Sequence, residues 1–257
     1  MRDRLFDLNG KVALITGASS GMGRAIAEAM AEQGATVVLS SNDEQGCKQV
    51  TEDLNEKNYA AHYIVCDVAK KEEIENLYNG TISRAGKIDI LVSCVGVAIP
   101  GSLLDINAED FEKTFAINLQ SAIYLTKLVI PQMAERNDGV LIYLSSISGV
   151  RGNKSIGLYG LSKAALIQLA RNLAVEWGPK NIRANTISPG VIETGFAKPM
   201  LNDEEVMKKR VALTPLRRVG QPDEVAGVAV MLASKAGGFI TGQNIIVDGG
   251  TVISDGN

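Results

Sequence analysis

Tyr159 and Lys163 stand four residues apart in YGLSK, one helical turn, so a phenol and an ammonium share one face. A neighbouring cation favours phenolate and makes the phenol a better acid near neutral pH. Such a tyrosine can give a proton to, or take one from, a substrate oxygen. Ser146, thirteen residues upstream in LIYLSSISG, adds a hydroxyl that can reach the same oxygen. Tyr/Lys pairs at this spacing arise by chance in many helices, so the surrounding elements must supply the weight. The apolar run before Ser146 reads as a strand, and LYGLSKAALIQLARNLAVEW (158–177) reads as the helix carrying the pair. All three side chains can then meet at one end of a sheet.

A second constellation lies near the start. Lys11 to Gly23, KVALITGASSGMG, is a short apolar strand running into a glycine-rich turn, and Arg24 to Gln33 continues as an alanine-rich helix. Gly17, Gly21 and Gly23 let the backbone turn tightly and approach a pyrophosphate, whose charge is met by amides at the helix start. Ser19, Ser20 and Met22 complete this candidate dinucleotide-binding turn.

Strands and helices alternate along the rest of the chain. Strands are expected at Thr36 to Ser40, Ala61 to Cys66, Ile88 to Ser93, Val140 to Leu144, Ile182 to Ile187 and in QNIIVDGG (243–250). Helices are expected at Glu44 to Lys57, Lys71 to Arg84, Phe111 to Met133 and Pro222 to Leu232. Strands separated by helices imply a parallel sheet covered on both faces. The expected fold is therefore α/β, a Rossmann-type doubly wound parallel β-sheet flanked by helices on both faces. Its ligands gather at the carboxyl ends of the strands.

Composition sets the outer bounds. With 257 residues, 46% hydrophobic, the chain can bury a substantial core, and no polar linker divides it. A single domain over residues 1–257 is expected. The formal charge of -3 and the lack of a dense basic stripe argue against nucleic acid. No apolar run is long enough to span a bilayer, and MRDRLFDLNG lacks the apolar stretch of a signal peptide. A cytoplasmic protein without membrane attachment is expected. Cys47, Cys66 and Cys94 are irregularly spaced and His62 is the only histidine, so no metal site is expected. GxSxG, the nucleophile elbow of hydrolases, is absent.

Taken together, these motifs resemble the classical branch of the short-chain dehydrogenase/reductase family over nearly the full chain. The family's nucleotide turn resembles Thr16 to Gly23, and its YxxxK motif resembles Tyr159 to Lys163. Its upstream serine matches Ser146, and its asparagine after the fourth strand matches Asn118 in FAINLQS. Its proline-glycine segment matches Pro189-Gly190, followed by Ile192 and by Thr194, where the family commonly has a threonine touching the cofactor carboxamide. The resemblance implies that Tyr159 is the proton donor and acceptor and that Lys163 lowers its pKa and holds the nicotinamide ribose. Ser146 would bind the substrate oxygen, and Asn118 would support a water chain linking Lys163 to solvent. Asp67 and Val68 would bracket the adenine. A homotetramer is implied as well.

One segment departs from the family pattern. Where many members have Asn-Asn-Ala-Gly, this chain has Ser93-Cys94-Val95-Gly96. Gly96 still admits close approach of the cofactor, but Cys94 lacks an amide to bridge neighbouring strands. Cofactor choice turns on Ser41 and Asn42 at the end of the second strand, where an acid would select NAD. With no acid there, NADP(H) is favoured, and NAD(H) stays open. The substrate pocket is expected from residues 97–104, 147–158 and a loop at about 191–211. Val97, Ile99, Val150, Ile156, Leu158, Ile192, Phe196 and Met200 would line it, so a small-molecule carbonyl or alcohol substrate with a mostly apolar body is expected. The segment after Thr194 is expected to form a lid with a small helix. The leading expectation is NADPH-dependent reduction of a ketone or keto ester. The alternatives are an NAD-dependent alcohol dehydrogenase and a non-catalytic nicotinamide-nucleotide-binding regulatory protein.

Overall fold

Runs of aliphatic residues become strands here because both of their faces can be covered. In the computed structural model, which describes residues 5–254, the first four residues of MRDRLFDLNG lie outside the described part. The strands are β1 (Val12–Thr16), β2 (Thr36–Ser41), β3 (Ala61–Val65), β4 (Ile90–Ser93), β5 (Gly139–Leu144), β6 (Ile182–Pro189) and β7 (Asn244–Val247). They form one seven-stranded sheet in the order β3-β2-β1-β4-β5-β6-β7, parallel throughout.

The helices are α1 (Gly21–Glu32), α2 (Glu44–Glu56), α3 (Lys71–Ala85), α4 (Ala108–Phe115), α5 (Ser121–Arg136), α6 (Gly157–Trp177), α7 (Lys198–Leu201), α8 (Glu204–Leu213) and α9 (Pro222–Ala233). Successive strand residues serve opposite faces. Ala13 and Ile15 join the core beneath α1, α2 and α9, with Ile26, Leu54 and Ala229. Val12 and Leu14 join the core beneath α3, α5 and α6, with Leu77, Val129 and Leu166. After β3 the chain returns to the other side of β1 to form β4, so the crossovers diverge between β1 and β4. A crevice opens there at the carboxyl ends of the strands.

Three elements differ from expectation. Helix α1 begins at Gly21 rather than Arg24, so the second half of the glycine turn is itself the first helical turn. The expected helix Phe111 to Met133 is broken by a π-helical turn at Ala116–Gln120. Within that turn, the Asn118 side chain bonds outward to Val97 and Ser162, and the extra residue there turns it out of the regular helical row. The lid segment carries two helices rather than one, because the Asp203 carboxylate accepts from the Val206 amide and starts α8 anew.

The opposite end of the sheet is locked by Asp89, which is 3% exposed. Its carboxylate accepts from the Val12 amide at 2.8 Å and pairs with Lys87 at 2.9 Å and Arg136 at 3.5 Å. Asp89→Ala leaves a buried amide and two cations without their acceptor. It is expected to lower the unfolding free energy by about 2–4 kcal/mol, and Asp89→Asn by less. Urea denaturation of the two variants measures this.

Candidate active site

A cleft of about 350 Å³ follows the carboxyl ends of the strands from β2 to the start of α6. Gly17, Ser19, Ser20, Gly21, Met22 and Gly23 line its floor between β1 and α1. The glycines are required sterically. Gly17 and Gly21 have φ of +70° and +56°, and a Cβ on Gly23 would lie 2.1 Å from the Gly17 carbonyl oxygen. Helix α1 carries no acidic residue in its first turn, so its amides present a partial positive charge to the cleft. Tight turn, bare helix start and elongated cleft together fit a pyrophosphate-bridged dinucleotide.

Ser41 and Asn42 line the far end, with Asp67 and Val68 beyond them. Ser41 exchanges a hydrogen bond with Ser19 at 3.2 Å. Neither basic residue nearby is free to serve this end. The Arg24 guanidinium donates to Glu28 at 2.8 Å and Asp53 at 3.2 Å, while Lys48 lies 3.9 Å from Glu52. Asp43 is also engaged, because its carboxylate caps α2 by accepting from Gly46.

Cys94 and Gly96 line the middle. Burial pushes the Cys94 thiol up to about 12 against the opposing pull of Lys163, so it is an uncharged thiol at neutral pH. Burial likewise raises Cys47 to about 11 and Cys66 to about 12. The bareness of Gly96 also makes room for the lysine: a Cβ there would lie 3.1 Å from Lys163 Nζ. Ser93 keeps its place in the sheet beside Thr16 and Tyr143. The buried Thr16 hydroxyl next to it has no hydrogen-bond partner.

Tyr159 and Lys163 form the near end, 8% and 2% exposed. Lys163 Nζ sits 5.6 Å from the Tyr159 ring centroid and donates to Leu144 O at 2.8 Å and Val95 O at 3.2 Å. Burial pushes the phenol up to about 12, with a hydrogen bond to Ser146 pulling the other way. Burial also lowers Lys163 to about 8. For the phenol, removal from water outweighs the pull of the Ser146 hydrogen bond, so it titrates above its ordinary value. Thr194 closes over the cleft, its Cγ2 standing 3.3 Å from where a Cβ on Gly21 would be, and Phe196 lies 6.1 Å from Tyr159, ring to ring.

Other expected site residues sit outside the cleft wall. Asn118 lies behind it, accepting from Val97 N at 2.8 Å and donating to Val97 O and Ser162 Oγ, each at 2.9 Å. Ser146 approaches through its bond to Tyr159. Pro189 and Gly190 are held against β7, where a Cβ on Gly190 would be 2.8 Å from Asp248 Cβ. Ile192 is 5% exposed and turned into the core with Val225 and Ala229. Of the expected substrate lining, Val97 and Phe196 face the cleft, while Leu158 is buried at 3%. Ile117, Leu144, Ser145 and Cys66 line the cleft without having been expected. Among the described residues no group of three or more His, Cys, Asp or Glu is arranged to hold a metal, and no helix is long and apolar enough to cross a membrane.

Comparison with known proteins agrees with this geometry. A family model described as enoyl-(acyl carrier protein) reductase matches residues 17–252. The dehydrogenase/reductase SDR family member 4 of Homo sapiens is 37% identical over 95% of this chain and 88% of its own. The chain belongs to the short-chain dehydrogenase/reductase family. Within that family, a tropinone reductase homolog of Arabidopsis thaliana is 37% identical over 98% of this chain and 97% of its own. A gluconate 5-dehydrogenase from Burkholderia cenocepacia J2315, solved with NADP and tartrate, superposes with a TM-score of 0.93 at 30% identity, covering 97% of this chain and 98% of that one. A 7α-hydroxysteroid dehydrogenase, solved with NADH and a 7-oxo bile acid, gives 0.93 at 36% identity, covering 96% of both chains. As a short-chain dehydrogenase/reductase, this chain is an NAD(P)-dependent oxidoreductase that interconverts a carbonyl and an alcohol.

Proposed function

We propose that the protein reduces a ketone or keto ester with an apolar body, using NADPH, with Tyr159 as proton donor. The observation that carries this reading is the buried Tyr159/Lys163 pair at the end of a dinucleotide-shaped cleft. The chemistry a nicotinamide held in this cleft would supply is a hydride for the carbonyl carbon. The chain's own residues manage the oxygen. Ser146 donates to it as negative charge develops, and Tyr159, protonated at neutral pH because its pKa is held at about 12, delivers the proton. Lys163 is placed to hold ribose hydroxyls through its ammonium, and Asn118 anchors the Val97 backbone beside the reacting centre while supporting a proton path behind it. Gly17, Gly21 and Gly23 would hold the pyrophosphate, Asp67 and Val68 the adenine, and Thr194 would contribute to holding the nicotinamide half.

The NADPH preference is supported by Ser41 and Asn42, neither of them a carboxylate, at the end of β2 where the cleft begins. Introducing one tests it. A carboxylate about 5 Å from a dianionic phosphate costs about 2 kcal/mol, so Ser41→Asp is expected to shift the NADPH/NADH ratio of kcat/KM about thirtyfold towards NADH. Steady-state rates with both cofactors measure the shift. Apolar Val97 and Phe196 beside Tyr159 support a hydrophobic substrate. Initial rates of NADPH and NADH oxidation over a panel of β-keto esters, diketones, cyclic ketones, steroids and keto sugars test the assignment. Turnover confined to keto sugars would overturn the apolar class.

The same reading extends to one domain, for which the single sheet argues, and to a cytoplasmic homotetramer. Phe111, Ile123 and Tyr124 on α4 and α5, with Leu161 and Val175 on α6, are exposed apolar side chains suited to helix-to-helix contact between copies.

A further inference from the structure

Three consecutive residues at the end of β5 grip helix α6. Leu144 O accepts from Lys163 Nζ at 2.8 Å, Ser145 Oγ donates to Lys163 O at 2.8 Å, and Ser146 hydrogen-bonds Tyr159. Lys163 is thus fastened to β5 twice, by its ammonium and by its backbone carbonyl. Ser145 is itself a rigid post: it is 4% exposed, and its amide donates to Ile187 O of β6 at 2.7 Å. The helix comes this close because two glycines let it. A Cβ on Gly149 would lie 2.8 Å from the Lys163 carbonyl carbon, and one on Gly160 would lie 2.7 Å from Ser148 O. Both obstacles are backbone atoms, which no side-chain rotation can move aside. The Ser162 hydroxyl, by contrast, bonds Tyr159 O within the same helix at 2.7 Å and so cannot fix α6 against the sheet.

We propose that Ser145 is a positioning residue for the reaction: its hydroxyl, by bonding the Lys163 carbonyl, sets the register of α6 on β5 that brings Tyr159 and Lys163 to Ser146. This rests on the assignment of those three as the reacting group. Without the hydroxyl, α6 keeps its internal bonds but loses its side-chain tie to β5 at this point, and a small displacement of a reacting group is costly to rate.

Ser145→Ala and Ser145→Thr, beside the wild type, test the role. Ser145→Ala is expected to lower kcat about tenfold with KM within about twofold, and Ser145→Thr, which keeps the hydroxyl, to recover most of the loss. A second readout needs no turnover. The Lys163 ammonium, followed by NMR, is expected to titrate at higher pH in Ser145→Ala, because loosened packing lets water reach it. Unchanged kcat and unchanged Lys163 titration in Ser145→Ala would overturn the proposal, as would a lowered melting temperature with unchanged kcat, or Ser145→Thr as impaired as Ser145→Ala. If the wild type reduces no carbonyl, the function assigned above fails, while the Lys163 titration alone still decides whether Ser145 positions the helix.

Discussion

Tyr159→Phe is expected to lower kcat about 10³-fold or more while leaving dinucleotide affinity within about threefold. The substitution removes the one hydroxyl that can deliver the proton and keeps the ring that packs near Phe196. Cleft shape is preserved, so cofactor fluorescence titration separates binding from chemistry. The pH dependence of the wild type follows from the same burial. With the phenol held at about 12 and Lys163 at about 8, the phenol is protonated and ready to donate across the neutral range. Lys163 carries its charge below about 8 and loses it as pH rises through that value. Reduction should therefore be level at neutral pH and decline above about pH 8, well before the phenol itself ionises. Oxidation, which needs the phenolate, should accelerate in the alkaline range.

Gly23→Ala should weaken dinucleotide binding at least about a hundredfold, or about 2.7 kcal/mol. The added Cβ would meet the Gly17 carbonyl oxygen at 2.1 Å and its carbon at 2.7 Å. Both atoms belong to the turn that must cradle the pyrophosphate, and Gly17 is already in the left-handed region. Relief requires the turn to open or α1 to move away from β1, and either change withdraws amides from the ligand. Gly227→Ala is the control. That glycine lies within α9 with nothing within 4 Å of the new Cβ, so alanine there is expected to keep affinity and raise helix stability by up to about 1 kcal/mol. Isothermal titration with NADPH and NADH compares the two variants.

Much of this architecture could be read from local sequence because a parallel sheet buries both faces of its strands. VALIT, TVVLS and GVLIYL are continuous apolar runs whose lengths decide strand over helix. TGASSGMG was equally legible, since each of its glycines meets a local steric demand. What escaped depends on contacts distant in sequence. The π-helical turn at Ala116–Gln120 reflects Asn118 bonds to residues 21 and 44 positions away, and nothing in FAINLQS itself signals a break. Ile192 looked like a pocket residue because it is apolar and follows Pro189-Gly190, yet α9 offers it a core site. The burial of the phenol was illegible for a related reason. Spacing gives the distance to Lys163, but the extent of desolvation emerges only when β5, α6 and the substrate loop close around the pair. Ser145 was passed over beside Ser146, although two adjacent serines at a strand end point to opposite sides and so serve different partners.

The most direct measurement of the central claim is transfer of deuterium from NADPH labelled at the hydride position of the nicotinamide, using wild type and Tyr159→Phe with the best carbonyl from the panel. Deuterium at the carbinol carbon of the wild-type product, with transfer nearly abolished by Tyr159→Phe, is the predicted result. Tight dinucleotide binding with no label in any product, or label transferred equally well by Tyr159→Phe, would contradict it.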